Sequence, residues 1–327
     1  MTQSSYHVAT LGNAIVDILA HIEDEALRTL QIQKGSWCLL TAQESRALYE
    51  KIPPAIEQSG GSAANTMAAF TSLGGRGAYI GKVHDDEFGH IFAHDLKASG
   101  VVFKGCIDPH GSATGKCIIL VTPDADRSMS TYLGASIEIG PEDVDEDVIK
   151  NAEIFFSEAY LWAPLNAQQA LLKGVSIARR YGRKVALTLS DPDCVKTHQQ
   201  DLLPFIKNHV DILIGNDAEI MALFDEDFEV ASHRAKQVCE TVALTCGVKG
   251  SLIHHQGETH AIERAPVTQV LDTTGAGDVY AGGLLYGMTH GYDIKTSGRI
   301  ASLAAADILT HLGSRPEKSL SFILQKL

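Results

Sequence analysis

The sequence contains no pair of cysteines in C-x-x-C spacing. Its six cysteines (Cys38, Cys106, Cys117, Cys194, Cys239 and Cys246) are scattered over 327 residues, so neither a zinc site nor a disulfide framework is indicated, and they read as reduced, packed thiols. No apolar run approaches the ~20 residues needed to span a bilayer. The opening Met1-Thr2-Gln3-Ser4-Ser5 lacks a basic region followed by an apolar stretch, and a cytoplasmic location is expected. Positive charge is also short: 27 basic against 40 acidic side chains give a net charge of −13, with no basic cluster. Nucleic acid and anionic membrane are thereby excluded as partners. The fourteen histidines show no metal-ligand spacing. A Walker A loop is missing too, because Arg76 stands where Gly81-Lys82 would need its first glycine, and His110 does so for Gly115-Lys116.

What is present is an ordinary globular composition, with 45% hydrophobic and 20% charged residues and a mean hydropathy of 0.00. Short apolar, β-rich runs (Val8 to Leu11, Ile154 to Phe156, Val185 to Leu189, Asp211 to Ile214, Val242 to Thr245) alternate with segments of helical period. The helical segments are Ala63 to Leu73, Phe88 to Ser99, Ala167 to Tyr181, Asp217 to Phe224, Ala276 to His290 and Thr296 to Thr310. Nearly all-apolar strands alternating with helices predict a mostly parallel sheet covered on both faces, an α/β/α three-layer sandwich, with ligands gathering at the strand C-terminal ends. Residues 1–327 read as one domain. Two stretches break the rhythm, at Gly35 to Leu40 and Val101 to Leu133; they suggest a small β-sheet lid drawn from approximately residues 12–40 and 101–133. An exposed lid sheet would leave an edge for a second subunit, so a homodimer stays open.

The sharpest local signal is Asp272-Thr273-Thr274-Gly275-Ala276-Gly277-Asp278, placed between the strand-like Val267 to Leu271 and a helix rich in small residues. Gly275 and Gly277 allow a tight bend, and the first free N–H groups of the helix, with the dipole behind them, would hold an anion. Phosphoryl transfer asks for positioning, charge stabilisation and a base for the attacking hydroxyl, and Asp278 fits the last task. The alternative is a structural β-to-α turn in which Asp278 serves the first helical turn. Tyr280 occupies the third glycine position of a dinucleotide fingerprint, which removes that reading.

Further along, Asn216 and Glu219 fall on one side of a helix start. They read either as oxygen donors to a hydrated Mg²⁺ or as a capping box. The run Leu244 to Gly250 is a glycine-containing turn after a strand. Arg127 in the lid reads either as a charge clamp on a transferred phosphoryl group or as a solvated surface arginine.

Together with Gly60-Gly61-Ser62-Ala63-Ala64-Asn65, the seven-residue string resembles the paired signatures of the ribokinase (PfkB) family of carbohydrate kinases, G-G-x-x-x-N and D-T-x-G-A-G-D. The resemblance runs nearly end to end and implies an ATP-dependent, Mg²⁺-using kinase, with a monovalent cation such as K⁺ left open. It implies Asp278 as catalytic base and the N–H groups of Gly275, Ala276 and Gly277 as anion hole. Asn13, Asp17, Gly60, Gly61, Ser62 and Asn65 would bind the ring hydroxyls; Asn216, Thr245, Gly247, Gly250 and Thr273 would lie against ATP, and Asn216 and Glu219 would reach Mg²⁺ through water. Within the family, Arg127 to Ala135, Leu187 to Pro192 and Gly313-Ser314-Arg315-Pro316 look most like the bacterial adenosine-kinase branch, whereas the D-x-N-x-R string of common sugar kinases is absent. Adenosine 5′-phosphorylation is the leading expectation, with Tyr160 and Trp162 or Trp37 available to stack on a purine. A sugar kinase and a non-catalytic nucleoside sensor are the alternatives.

Overall fold

The computed structural model describes residues 5–124 and 126–327. Residues 1–4, part of the stretch read above for a targeting signal, and residue 125, inside the expected lid range, lie outside them. Among the described residues the main sheet has nine strands, in the spatial order Glu258–Ile262, Ser251–His255, Thr241–Thr245, Ile212–Asn216, Lys184–Thr188, Ile154–Glu158, Val8–Leu11, Gly77–Ile80 and Val102–Phe103. Pairing is parallel from Thr241–Thr245 to Val102–Phe103, and the other two strands add an antiparallel hairpin. Side chains alternate between two cores. Val8, Ile154, Phe156, Ile212 and Ile214 join the core under helices Ser62–Ser72, Ala276–Thr289 and Ile294–Ile308. Ala9, Leu11, Phe155 and Leu213 join the one under Leu165–Arg180 and Pro192–His209. This period of two, apolar on both sides, is why the strands read as unbroken hydrophobic runs.

Val8–Leu11 lies between Gly77–Ile80, which follows it in the chain, and Ile154–Glu158, which opens the other half. The order of the strands reverses there, so the loops after Leu11 and Glu158 diverge and leave a crevice at their C-terminal ends.

A second sheet of five strands runs in the order Trp37–Leu39, Arg127–Tyr132, Gly115–Val121, Ile15–His21 and Ile56–Gly60. Its last strand lies outside the range expected for the lid. Conversely, Val102–Phe103 belongs to the main sheet, and Cys106–Asp108 pairs with Lys82–His84. The expected strand over Val267 to Leu271 does not form; Pro266 precedes it, and the Leu271 N–H bonds instead to the carbonyl of Leu309 at the end of a helix.

Helix Ala276–Thr289 is pressed against its neighbours by small residues. A methyl group at Gly282 would stand 2.6 Å from the carbonyl oxygen of Thr66 in helix Ser62–Ser72. Only glycine permits that approach, and it sets the first turn of one helix beside the first turn of the other.

Candidate active site

The two helix starts bring Asp278 against Ser62 and Asn65. Ser62 Oγ donates to Asp278 Oδ1 at 2.7 Å and Asn65 Nδ2 donates to Oδ2 at 3.0 Å. Burial outweighs these bonds and the Arg315 charge, so the carboxyl is pushed up to about 6. A carboxylate near neutrality can take a proton and give it back, as a general base must. The chain enters this helix through Gly275, at φ +75°, where a methyl group would meet Ser314 at 2.8 Å. The Ala276 N–H reaches back to the carbonyl of Thr273, while open space lies beyond Gly277. The anion turn thus has one face braced and one face clear.

Asp272, buried, is the brace. Its Oδ1 accepts from the Thr274 N–H at 2.7 Å and its Oδ2 from the Gly313 N–H at 2.9 Å. Arg127 reaches across from the small sheet to pair with Asp272 and also donates to the Thr273 hydroxyl. Its guanidinium is neither a free surface group nor a clamp aimed at open space in this arrangement; it ties the small sheet to the anion turn.

On the other side of the crevice Asp17 is only 6% exposed. It accepts from Ser314 Oγ at 3.2 Å, and burial pushes its carboxyl up to about 7 against the lowering effect of Arg315 and that hydrogen bond. Asn13 Oδ1 is buried without a hydrogen-bond partner among the described residues. A carboxylate and an unpaired amide oxygen at one cleft suit the donors of a vicinal diol, since a buried acceptor left unpaired costs free energy. Gly60 and Gly61 frame this end through their carbonyls, which accept from Arg315 at 3.4 Å and from the Asn65 N–H at 2.8 Å respectively.

Sequence reasoning missed Glu158, which is 0% exposed at the end of its strand. Oε1 accepts from the Asn13 N–H at 2.9 Å and Oε2 from the Ala63 N–H at 2.8 Å, so one carboxylate joins the loop after Val8–Leu11 to the start of helix Ser62–Ser72. Its carboxyl is pushed up to about 7, chiefly by burial. The only signal available was a carboxylate closing a strand, two residues beyond its apolar run Ile154 to Phe156, at the sheet's switch point.

Asn216 and Glu219 realise the capping box: the Asn216 N–H and Nδ2 donate to Glu219 at 3.0 and 2.7 Å, and the Glu219 N–H returns to Asn216 Oδ1 at 2.8 Å. Both side chains are committed to each other, and no group of three or more His, Cys, Asp or Glu among the described residues could hold a metal ion directly. Glu219 is nonetheless pushed up to about 7, by burial first and then by the negative charges of Asp191, Asp278 and Asp217. Such an acidic rim fits a hydrated divalent cation better than a protein cage. Beyond it, Thr245, Gly247 and Gly250 form a loop closed by the Cys246 N–H on the Gly250 carbonyl at 2.8 Å, with Val248 exposed at its tip.

Of the aromatic candidates, Trp162 is buried against Phe205 with ring centroids 4.7 Å apart, so core packing removes it from stacking on a ligand. Tyr160 is partly exposed at the crevice, its hydroxyl 3.5 Å from the Ser190 carbonyl. Trp37 is 55% exposed on the edge strand of the small sheet, its Nε1 donating to Thr131 Oγ1 at 3.2 Å.

Comparison with known proteins agrees with this geometry. Residues 55–319 match the pfkB family of carbohydrate kinases. The structure of an adenosine kinase from Sinorhizobium meliloti is 41% identical, with 99% of each chain covered and a TM-score of 0.92. A probable sugar kinase protein from Rhizobium etli CFN 42 is 39% identical with the same coverage and a TM-score of 0.93. A probable fructokinase-4 of Arabidopsis thaliana is 30% identical over 71% of this chain and 74% of its own. With both signatures at one crevice and this likeness over nearly its full length, the chain belongs to the pfkB family of carbohydrate kinases, phosphotransferases that use ATP and a divalent metal on alcohol acceptors.

Proposed function

We propose that this chain transfers the γ-phosphoryl group of ATP to the 5′-hydroxyl of adenosine or a close ribonucleoside, giving AMP and ADP. The observation that carries this reading is the underside of the small sheet. Asp17 and Leu19 point to the same face, and their register partners there are Cys117 and Ile119. Leu19, Ile119 and Val121, with Cys117 and Met129 against them, form an apolar cluster separate from both main cores. The cleft therefore has a polyol-binding end at Asp17 and Asn13 and an apolar flank beside it, as a base attached to a ribose would require. A free sugar would leave that flank without a partner.

In this mechanism the alcohol binds first beneath the small sheet, closure excludes water, and Asp278 takes the hydroxyl proton as the oxygen attacks in line. The N–H groups of Gly275 and Gly277 stabilise the charge on the migrating phosphoryl group, that of Ala276 being spent on the Thr273 carbonyl, and the loop of Thr245, Gly247 and Gly250, with Thr273, lies along the nucleotide. Asn216 and Glu219 would hold a hydrated Mg²⁺ beside the phosphates, where it would supply neutralisation of their charge.

A panel of adenosine, inosine, ribose and fructose with MgATP, with and without K⁺, tests the reading by ADP release and product mass. Turnover of free sugars alone would replace it with the sugar-kinase reading, which the fructokinase and sugar-kinase relatives favour. Ligand-induced thermal stabilisation without any phosphorylated product would point to a sensor.

A further inference from the structure

Arg315 follows the buried Gly313-Ser314 pair in the loop beyond helix Ile294–Ile308, and the phosphoryl-transfer scheme gives it no role. Its Nε donates to Asn65 Oδ1 at 2.8 Å and one terminal nitrogen to the Gly60 carbonyl at 3.4 Å. The Asn65 amide in turn donates to Asp278 Oδ2 at 3.0 Å. A guanidinium has donors only, so the Asn65 oxygen must face Arg315 and the NH₂ must face Asp278. We propose that Arg315 is a positioning residue: by fixing which way the Asn65 amide points, it holds the Asp278 carboxylate in the orientation from which it takes the alcohol proton. The inference rests on Asp278 being the base.

Charge reinforces the geometry. Asp278 is faced by Asp17 from the small sheet, by Glu158 and Tyr160 from the strand end at the switch point, and by Glu219 from the acidic rim. Arg315 is the cation whose field lowers the Asp278 carboxyl against burial. A planar fork that serves two acceptors and supplies the compensating charge is a task for arginine that lysine cannot fully copy. Gly60 and Asn65 lie in the G-G-x-x-x-N segment, and Ser314, next to Arg315, bonds Asp17. The Gly313-Ser314-Arg315-Pro316 string therefore touches both the alcohol end and the base.

The test compares Arg315→Met and Arg315→Lys with the wild type in steady-state kinetics on the best alcohol of the panel, across pH, and in crystal structures. For Arg315→Met we expect kcat to fall at least about tenfold, KM to change far less, and the acid limb of kcat/KM to move up by about one pH unit. For Arg315→Lys the acid limb should stay near the wild-type value while kcat remains depressed. In the Arg315→Met crystal the Asn65 NH₂ should no longer bond Asp278. Unchanged kcat and acid limb in a folded Arg315→Met overturn the proposal, as does an unmoved Asn65–Asp278 bond. If the methionine variant does not fold, Arg315→Lys decides alone, and wild-type kcat there overturns it. A wild type that phosphorylates no alcohol removes the kinase assignment instead, and leaves the Asn65 orientation to be judged by the crystal structures.

Discussion

Ser62 and Asp278, 216 residues apart in sequence, meet at 2.7 Å through Oγ and Oδ1. The resemblance implied Ser62 as an alcohol-binding residue, but in this arrangement its hydroxyl is spent on the carboxylate that the proposed chemistry needs. Each start of the two abutting helices therefore completes the other: one brings the carboxylate, the other the donors that favour its ionised form.

Asp278→Asn removes the proton acceptor while retaining shape and one acceptor oxygen. We expect kcat to fall by about 10²- to 10⁴-fold with KM for the alcohol little changed. In the wild type, kcat/KM should fall as pH drops through about 6, where the carboxylate becomes protonated. Coupled ADP-release assays across pH check both; an asparagine variant within tenfold of wild type would remove Asp278 from the role of base.

Stability without ligand should run against the usual pH trend. The folded-state carboxyls of Asp17, Glu158, Glu219 and Asp278 are raised to about 7, 7, 7 and 6. Their protonated forms stabilise the fold fully below the ordinary carboxyl range, and that contribution is lost as pH rises through those values. His7, lowered to about 4 mainly by burial, has the opposite sign: its contribution is present above 6.5 and lost as pH falls through 4. Four raised carboxyls against His7 and the burial-lowered His254 and His255 should make the melting temperature decline from about pH 5 to 7.5, and Asp17→Asn should flatten the decline. A scanning-calorimetry series that rises over that interval would refute the assignment.

Glu158→Gln keeps volume but turns one acceptor into a donor facing an N–H. Either the Asn13 or the Ala63 N–H loses its partner in a buried setting, a cost of about 1–3 kcal/mol. Urea denaturation should show that loss, and KM for the alcohol should rise because the Asn13 loop and the start of helix Ser62–Ser72 share this anchor.

Gly282→Ala sets two effects against each other. Alanine gains about 1 kcal/mol of helix propensity, but its methyl group would lie 2.6 Å from the Thr66 carbonyl oxygen, a backbone atom that cannot rotate away. Overpacking of about 1–3 kcal/mol prevails, so the variant should be less stable, and kcat should drop as Asp278 is carried off Asn65. Equal or higher stability by chemical denaturation would mean the helices separate at no cost.

The parallel sheet was legible because its strands are buried on both faces and leave apolar runs such as Ile154 to Phe156. The tight turn into helix Ala276–Thr289 was legible because its glycines and aspartates fall in one short string, Asp272 to Asp278. Helix Pro192–His209 was not, since Pro204 interrupts a largely polar sequence; its Asp191 cap and N-terminal proline were the signals to use. Strand Ile56–Gly60 carries Glu57, Gln58 and Ser59, and becomes a strand only by pairing with Ile15–His21. Glu158 and Arg315 matter through partners far away in sequence, and no local pattern announces such contacts. Trp162 shows the reverse error: an aromatic near the crevice in sequence is turned inward by Phe205.

The pairing of Ser62 and Asn65 with Asp278 also bears on biosynthesis. A nascent chain emerging from the ribosome can begin its central sheet early, yet Ser62 and Asn65 gain Asp278 as their acceptor only after more than two hundred further residues have been translated. Arg315 arrives later still. The site should thus assemble only once the segment carrying Asp278 and Arg315 has emerged, so that chains halted before it would lack the assembled cluster.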